Sequence, residues 1–303
     1  MSDSFSWAVD PTLRVDRIHV IESLPEDEQG WYARTGARLF EELQDIWART
    51  PVVPHLHVIH RRDELSDLLR RLVGEASEGH FPLLHFETHG IDREPGPTTT
   101  SAGLSLGSHE EVRWRDLAPF LAAINEATKL NLIVFMSACY GLDVATLVQP
   151  LEPAPVRVLI GPMRKIRIPD IDKAVPAFYR SLFRDRDGAA AFNEMNRALP
   201  DGPAFLVMTA EKMFLDILLG YYNEMTTDEA VEERVEGIIR HRVAAGASPQ
   251  AANAGREWMR AMLRDRRRVF DEAYRRFFFI DKHPEIAERF QMTYEGCFQE
   301  ARL

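Results

Sequence analysis

The sequence predicts an α/β protein, in which a mostly parallel sheet flanked by helices is followed by an all-helical extension. Three observations lead there. Short apolar runs alternate with longer helical patterns over roughly the first 215 of the 303 residues, the pattern of a parallel sheet with helical crossovers. One run, NLIVFMSA at 131–138, is apolar almost throughout, as in a strand covered on both faces. From about residue 214 onward no strand pattern recurs.

Taken in order, RIHVIESL (17–24) reads as the first strand. WYARTGARLFEELQDIWART (31–50) has helical spacing at Leu39, Leu43 and Ile46. LHVIH (56–60) is a second strand, and DELSDLLRRLVGEA (63–76) a helix with Asp63 placed to cap it. FPLLHFE (81–87) is a third strand. GLSLG (103–107) and EVRW (111–114) form a small hairpin, expected to be a side feature. DLAPFLAAINEAT (116–128) is a helix with Asp116 as its cap. After the strand at 131–138, VRVLIGPM (156–163) and AFLVMTA (204–210) complete the set, with helices at 170–185 and 188–199 between them. The extension shows helical patterns at 231–246, 251–277 and 284–301, so the expected division is 1–215 and 216–303.

Composition narrows the function classes. Hydrophobic residues at 45% and charged residues at 28% are a globular balance, so a packed core is expected along the chain. The net charge of −10 disfavours a nucleic-acid partner. The N-terminal residues lack an apolar signal segment, and no run reaches the roughly 18 apolar residues of a membrane span. With two cysteines, Cys139 and Cys297, a reducing cytoplasmic setting is expected, and a reduced thiol is then available for chemistry.

The chemistry concentrates at two strand ends. LLHFETHG (83–90) runs into His89 and Gly90, and LIVFMSACYG (132–141) runs into Cys139 and Gly141. In parallel sheets ligands gather at the carboxyl ends of strands, which puts both motifs at one rim. A cysteine nucleophile needs a base, and imidazole is the usual one. Neighbouring glycines allow a sharp turn and close backbone approach. A lone cysteine ending an apolar strand is more often a small core hydrophobe. The pairing with His-Gly, 139 − 89 = 50 residues earlier, sets this one apart.

On HFETHG and SACYG the chain resembles the caspase-like cysteine peptidases (clan CD), most closely the bacterial CHAT-type branch. The caspase pattern places its cysteine about 50 residues after its histidine. The hairpin between the motifs and VLIGPM as the next strand fit too, so the resemblance covers roughly 15–215. It implies a caspase-like sheet, Cys139 as nucleophile, and His89 as base and then acid. Backbone N–H groups of Gly90 and Cys139 would form the oxyanion hole, and neither metal nor other cofactor would be needed. A protein substrate is implied, in some relatives an effector that forms pores, cut during antiphage defence. Where caspases carry Gln and metacaspase-like relatives Asp, two residues before the cysteine, this chain has Ser137. Ser137 and Glu87 are candidate pocket residues, and Ser137 points to an apolar or small residue before the cut bond. The segment 141–156 is expected to be one helix and a Pro-rich turn, too short for an activating cleavage. Control would then fall to a partner or to the helical extension. The rival reading is a catalytically inactive interaction module of the same architecture.

Other features read more plainly. His85 is expected in the core. Glu87 either orients His89 or stands as a rim carboxylate. His55, His57 and His60 lack a completing ligand, so no metal is expected. The arginine-rich 264–279 segment is expected to bury Phe270, Tyr274 and Phe277 and to solvate its arginines. Cys297 is expected to be structural.

Overall fold

The computed structural model describes residues 13–25, 34–48, 52–91, 103–142, 151–185 and 187–299. The chain divides into two compact units, one of 1–147 and 154–210 that carries the sheet, the other of 148–153 and 211–303.

Six strands form the body of that sheet: β1 (Arg17–Ser23), β2 (Val53–Val58), β3 (Pro82–Ile91), β6 (Ile133–Ser137), β7 (Val158–Pro162) and β8 (Phe205–Thr209). Their order is β2-β1-β3-β6-β7-β8, parallel except for β8, which runs antiparallel to β7 at one edge. β4 (Gly103–Ser105) and β5 (Glu111–Arg113) make a hairpin that pairs antiparallel with the end of β3.

Side chains alternate between the two faces of each strand. Ile18, Val20, Leu83, Ile133, Phe135, Val158 and Ile160 share one core with Leu39 and Leu43 of α1 (Thr35–Trp47). Phe178 and Tyr179 of α4 (Ile168–Asp185) and Ala191 and Met195 of α5 (Gly188–Arg197) join it. The opposite parity, Leu84, Phe86, Val134 and Met136, is buried as well. So are Leu65, Leu68, Leu69 and Leu72 of α2 (Arg62–Ser77), and Leu117, Leu121 and Ile124 of α3 (Trp114–Ala127). Burial on both faces explains why these strands read as continuous apolar runs.

Several boundaries differ from the sequence reading. β2 begins at Val53, three residues early, because Val53 N–H donates to Asp16 C=O at 2.8 Å and starts the ladder. Neither Asp63 nor Asp116 is an N-cap. α2 is capped at Arg61, where Glu64 accepts the N–H groups of His60 (2.8 Å) and Arg61 (3.2 Å). α3 starts at buried Trp114, directly after β5, with no linker for Asp116 to cap. Residues 31–33 and 49–50 of the first expected helix and 143–150 of the expected segment at 141–156 lie outside the described residues.

The described residues of the second unit hold helices and no strand: α6 (Ala210–Met225), α7 (Asp228–Ala244), α8 (Pro249–Asn253), α9 (Arg256–Arg264), α10 (Arg266–Phe277), a 3-10 turn (Pro284–Glu288) and α11 (Tyr294–Gln299). The pattern at 251–277 is three helices rather than one. Gly255 takes φ 83° and Asp265 caps α10 by accepting Arg268 N–H, and each interrupts the run. Val231, Val235 and Ile239 of α7 pack with Ala252 and Met259. Arg256, Arg260 and Arg264 reach back to Glu236, Glu232 and Asp228. Phe270, Phe277 and Phe278 are buried against Phe214 while Arg266–Arg268, Arg275 and Arg276 are exposed. Among the described residues no helix is long and apolar enough to cross a membrane.

Candidate active site

β3 and β6 pair in parallel with a constant offset: Leu83 faces Ile133, His85 faces Phe135, Glu87 faces Ser137. Each partner number exceeds the other by 50. The ladder ends at Glu87/Ser137, and His89 and Cys139 each lie two residues beyond it, so their spacing in the chain keeps the same offset. The spacing noticed in the sequence is thus the register of the ladder.

Beyond Ser137 the chain leaves the sheet in a tight turn. Gly141 N–H donates to Ala138 C=O at 3.0 Å, and Tyr140 adopts φ 58°. The turn folds back on its own strand so closely that a β-carbon at Gly141 would lie 2.6 Å from Met136 Cβ. It also lies against β3. A β-carbon at Gly90 would sit 1.9 Å from the carbonyl oxygen of Cys139 and 3.1 Å from its nitrogen. Only glycine allows that approach. His89 and Cys139 are both half-buried, and Cys139 is in no disulfide.

His89 and Gly90 do not lie just past the end of a strand, as the sequence reading expects. β3 continues to Ile91, because β4 takes over as its partner: His89 faces Ser105 and Gly90 faces Leu104. Thr88 Oγ1 adds a bond to Ser105 C=O at 2.8 Å. The hairpin is therefore what holds the His-Gly segment, and more than a side feature.

One step below the His89/Cys139 level, three polar residues stand in register across neighbouring strands: Glu22, Glu87 and Ser137. All are buried. Glu22 Oε2 accepts Ala37 N–H at 2.9 Å in the first turn of α1. Burial raises the pKa of Glu22, and the charge of Glu87 raises it further. Glu87 Oε2 accepts the Thr35 hydroxyl at 2.8 Å, and Glu87 Oε1 lies 2.8 Å from His85 Nε2. With Glu87 accepting, His85 Nε2 donates, and Nδ1 is left to accept the Tyr179 hydroxyl at 2.9 Å. Burial holds the Tyr179 pKa well above the usual phenol value, so this hydroxyl keeps its proton.

The candidate residues separate here. His85 is a core residue, fully buried and packed on Phe135 with centroids 4.7 Å apart. Glu87 is neither a rim carboxylate nor bonded through its described partners to His89: its two oxygens serve Thr35 and His85. Ser137 Oγ is buried without a partner. Glu22, Thr35 and Tyr179 escaped the sequence reading. The one signal was a carboxylate inside the apolar run RIHVIES.

His55 and His57 share a face, and both meet His19 of β1. His19 Nδ1 and His57 Nε2 are 3.0 Å apart with ring centroids at 5.3 Å, the geometry of rings joined end to end by one N–H···N bond. Lone pairs so aimed do not converge on a shared ion. Among the described residues no group of three or more His, Cys, Asp or Glu is arranged to hold a metal.

Compared with known proteins, the chain matches no family model and no curated protein sequence.

Proposed function

We propose that the chain is a cysteine endopeptidase acting through Cys139 and His89. The observation that carries this reading is the backbone contact of Gly90 with Cys139 just beyond the end of the β3–β6 ladder. In this reading the Cys139 thiol gives its proton to His89, and sulfur attacks the substrate carbonyl carbon. Backbone N–H groups of Gly90 and Cys139 stabilise the oxyanion. The C–N bond breaks as His89 returns the proton to the leaving amine. Water, activated by His89, then cleaves the thioester and regenerates the thiol. The resemblance to caspase-like peptidases of the CHAT-type branch supports a regulated cut in one partner protein, in a setting such as antiphage defence, with the helical extension as the place where a partner acts.

Alkylation by iodoacetamide, followed by peptide mass spectrometry, tests the pair. Cys139 is expected to react faster than Cys297 at about pH 6–7 and to lose that advantage in His89→Ala. Equal, slow reaction of Cys139 in both proteins would remove the nucleophile from the proposal.

A further inference from the structure

A cleft of about 140 Å³ opens between α1 and α4, and Glu87 of β3 forms part of its wall. That is room for several water molecules or for one small organic solute. Glu87 is 3% exposed, and a carboxylate so buried ordinarily faces a cation. Its hydrogen-bond partners among the described residues are the Thr35 hydroxyl and the His85 imidazole, and Tyr179 engages the other nitrogen of that ring. Its ladder neighbour on β1 is Glu22, a second buried carboxylate. Each carboxylate oxygen accepts two hydrogen bonds, so both oxygens of Glu87 have capacity left. Thr35 lines the cleft too, and its hydroxyl can accept a bond while it donates to Glu87.

The other ionic groups of the cleft are engaged. Asp172 holds Arg38 through both oxygens at 2.9 and 2.8 Å, and Glu42 pairs with Arg180. Glu87 is thus the carboxylate of the cleft that no arginine or lysine answers. One such group falls short of the six to eight oxygens that a calcium ion gathers. Leu39, Ile171, Val175 and Pro176 supply an apolar wall beside it. The complement of that lining is a donor-only cationic head on a short apolar stem.

We propose that the cleft between α1 and α4 is a binding site for a small alkylguanidinium or alkylammonium ion, its head bonded to Glu87 and Thr35 and its stem laid against the apolar wall. Neither His89 nor Cys139 lines the cleft, and the inference does not rest on the peptidase reading.

Methyl NMR on the full chain tests it. The probes are n-butylguanidinium, n-pentylammonium and the uncharged isostere n-butylurea, each titrated to about 10 mM. The methyl signals of Leu39, Ile171 and Val175 are expected to shift with a cationic probe, at a Kd at least about tenfold below that of butylurea, the scale of a buried charged hydrogen bond. Glu87→Gln should erase most of that preference. The comparison of charged with uncharged probe in the unmodified protein stands even if this variant fails to fold. A further probe, an acetylated and amidated Gly-Arg-Gly peptide, offers the same head from a protein chain. Tighter binding than butylguanidinium assigns the site to an arginine of a partner and weaker binding to a free small molecule, and either upholds the cation site. Equal binding of butylurea, an unchanged preference in folded Glu87→Gln, or no shift of these methyl signals with any cationic probe overturns it.

Discussion

Gly90 and Cys139 touch through their backbones so tightly that no side chain fits between them: a β-carbon on Gly90 would lie 1.9 Å from the Cys139 carbonyl oxygen. The cysteine and histidine segments are thereby packed backbone against backbone.

Gly90→Ala is accordingly expected to force β3 and the Ala138–Gly141 turn apart. Overpacking of this kind costs about 1–3 kcal/mol or more, and the neighbour here is backbone, which cannot rotate away. Gly74→Ala is the matched control. It sits exposed within α2 with nothing within 4 Å of an added β-carbon, and should stabilise by about 0.5–1 kcal/mol. Urea midpoints of the two variants should move in opposite directions. A neutral Gly90→Ala would contradict the contact.

Acid should weaken the fold through the imidazoles of β1 and β2. Burial, then the neighbouring imidazoles, lowers the His19 pKa to about 3, and burial and His55 lower that of His57 to about 4. In the unfolded chain both titrate near 6.5. Between these values the unfolded state binds protons that the folded state refuses, so stability falls as pH drops from about 6.5 toward 4. Glu22 works in the other sense: its raised pKa lets the folded state take up a proton while the unfolded carboxylate is still ionised. Urea midpoints at about pH 7 and pH 5 should show a net loss, reduced in His57→Gln. A loss unchanged by that substitution would assign it to other groups.

Asn125 bridges two loops from inside the core. Its Nδ2 donates to Ala154 C=O at 2.9 Å, and its Oδ1 accepts Leu132 N–H at 3.1 Å. Asn125→Ala leaves both backbone groups buried and unsatisfied, at about 1–3 kcal/mol for each. Thermal unfolding should show a clear drop in midpoint. A change comparable to an exposed Asn253→Ala would mean that water replaces the amide.

Much of this architecture was legible because burial on both faces writes itself into unbroken apolar runs such as Ile133–Met136, and because His89 and Cys139 follow such runs directly. Less legible was whatever depends on a partner distant in sequence. Nothing local to Gly90 says that β4 will extend β3 to Ile91. Nothing near Thr35 says that its hydroxyl meets Glu87, 52 residues away. The caps at Asp63 and Asp116 failed for a related reason: Glu64 closes α2 from within, and β5 runs straight into α3. In the second unit, residues 251–277 keep a helical hydrophobic rhythm across two breaks, since the rhythm records which side is buried and not whether the helix is continuous.

The fifty-residue interval also bears on how kin of this chain would be recognised. The ladder from Leu83/Ile133 to Glu87/Ser137 sets the strand ends from which His89 and Cys139 each lie two residues on. The connecting segment merely sets the arithmetic. An insertion in the β3–β4 connection or after β5 would alter the count while leaving the pairing of β3 with β6 unchanged. Homologues with intervals of forty or ninety would be lost to any pattern written as a fixed gap. They would be found by one that asks for His-Gly and Cys-x-Gly at the ends of two adjacent buried strands.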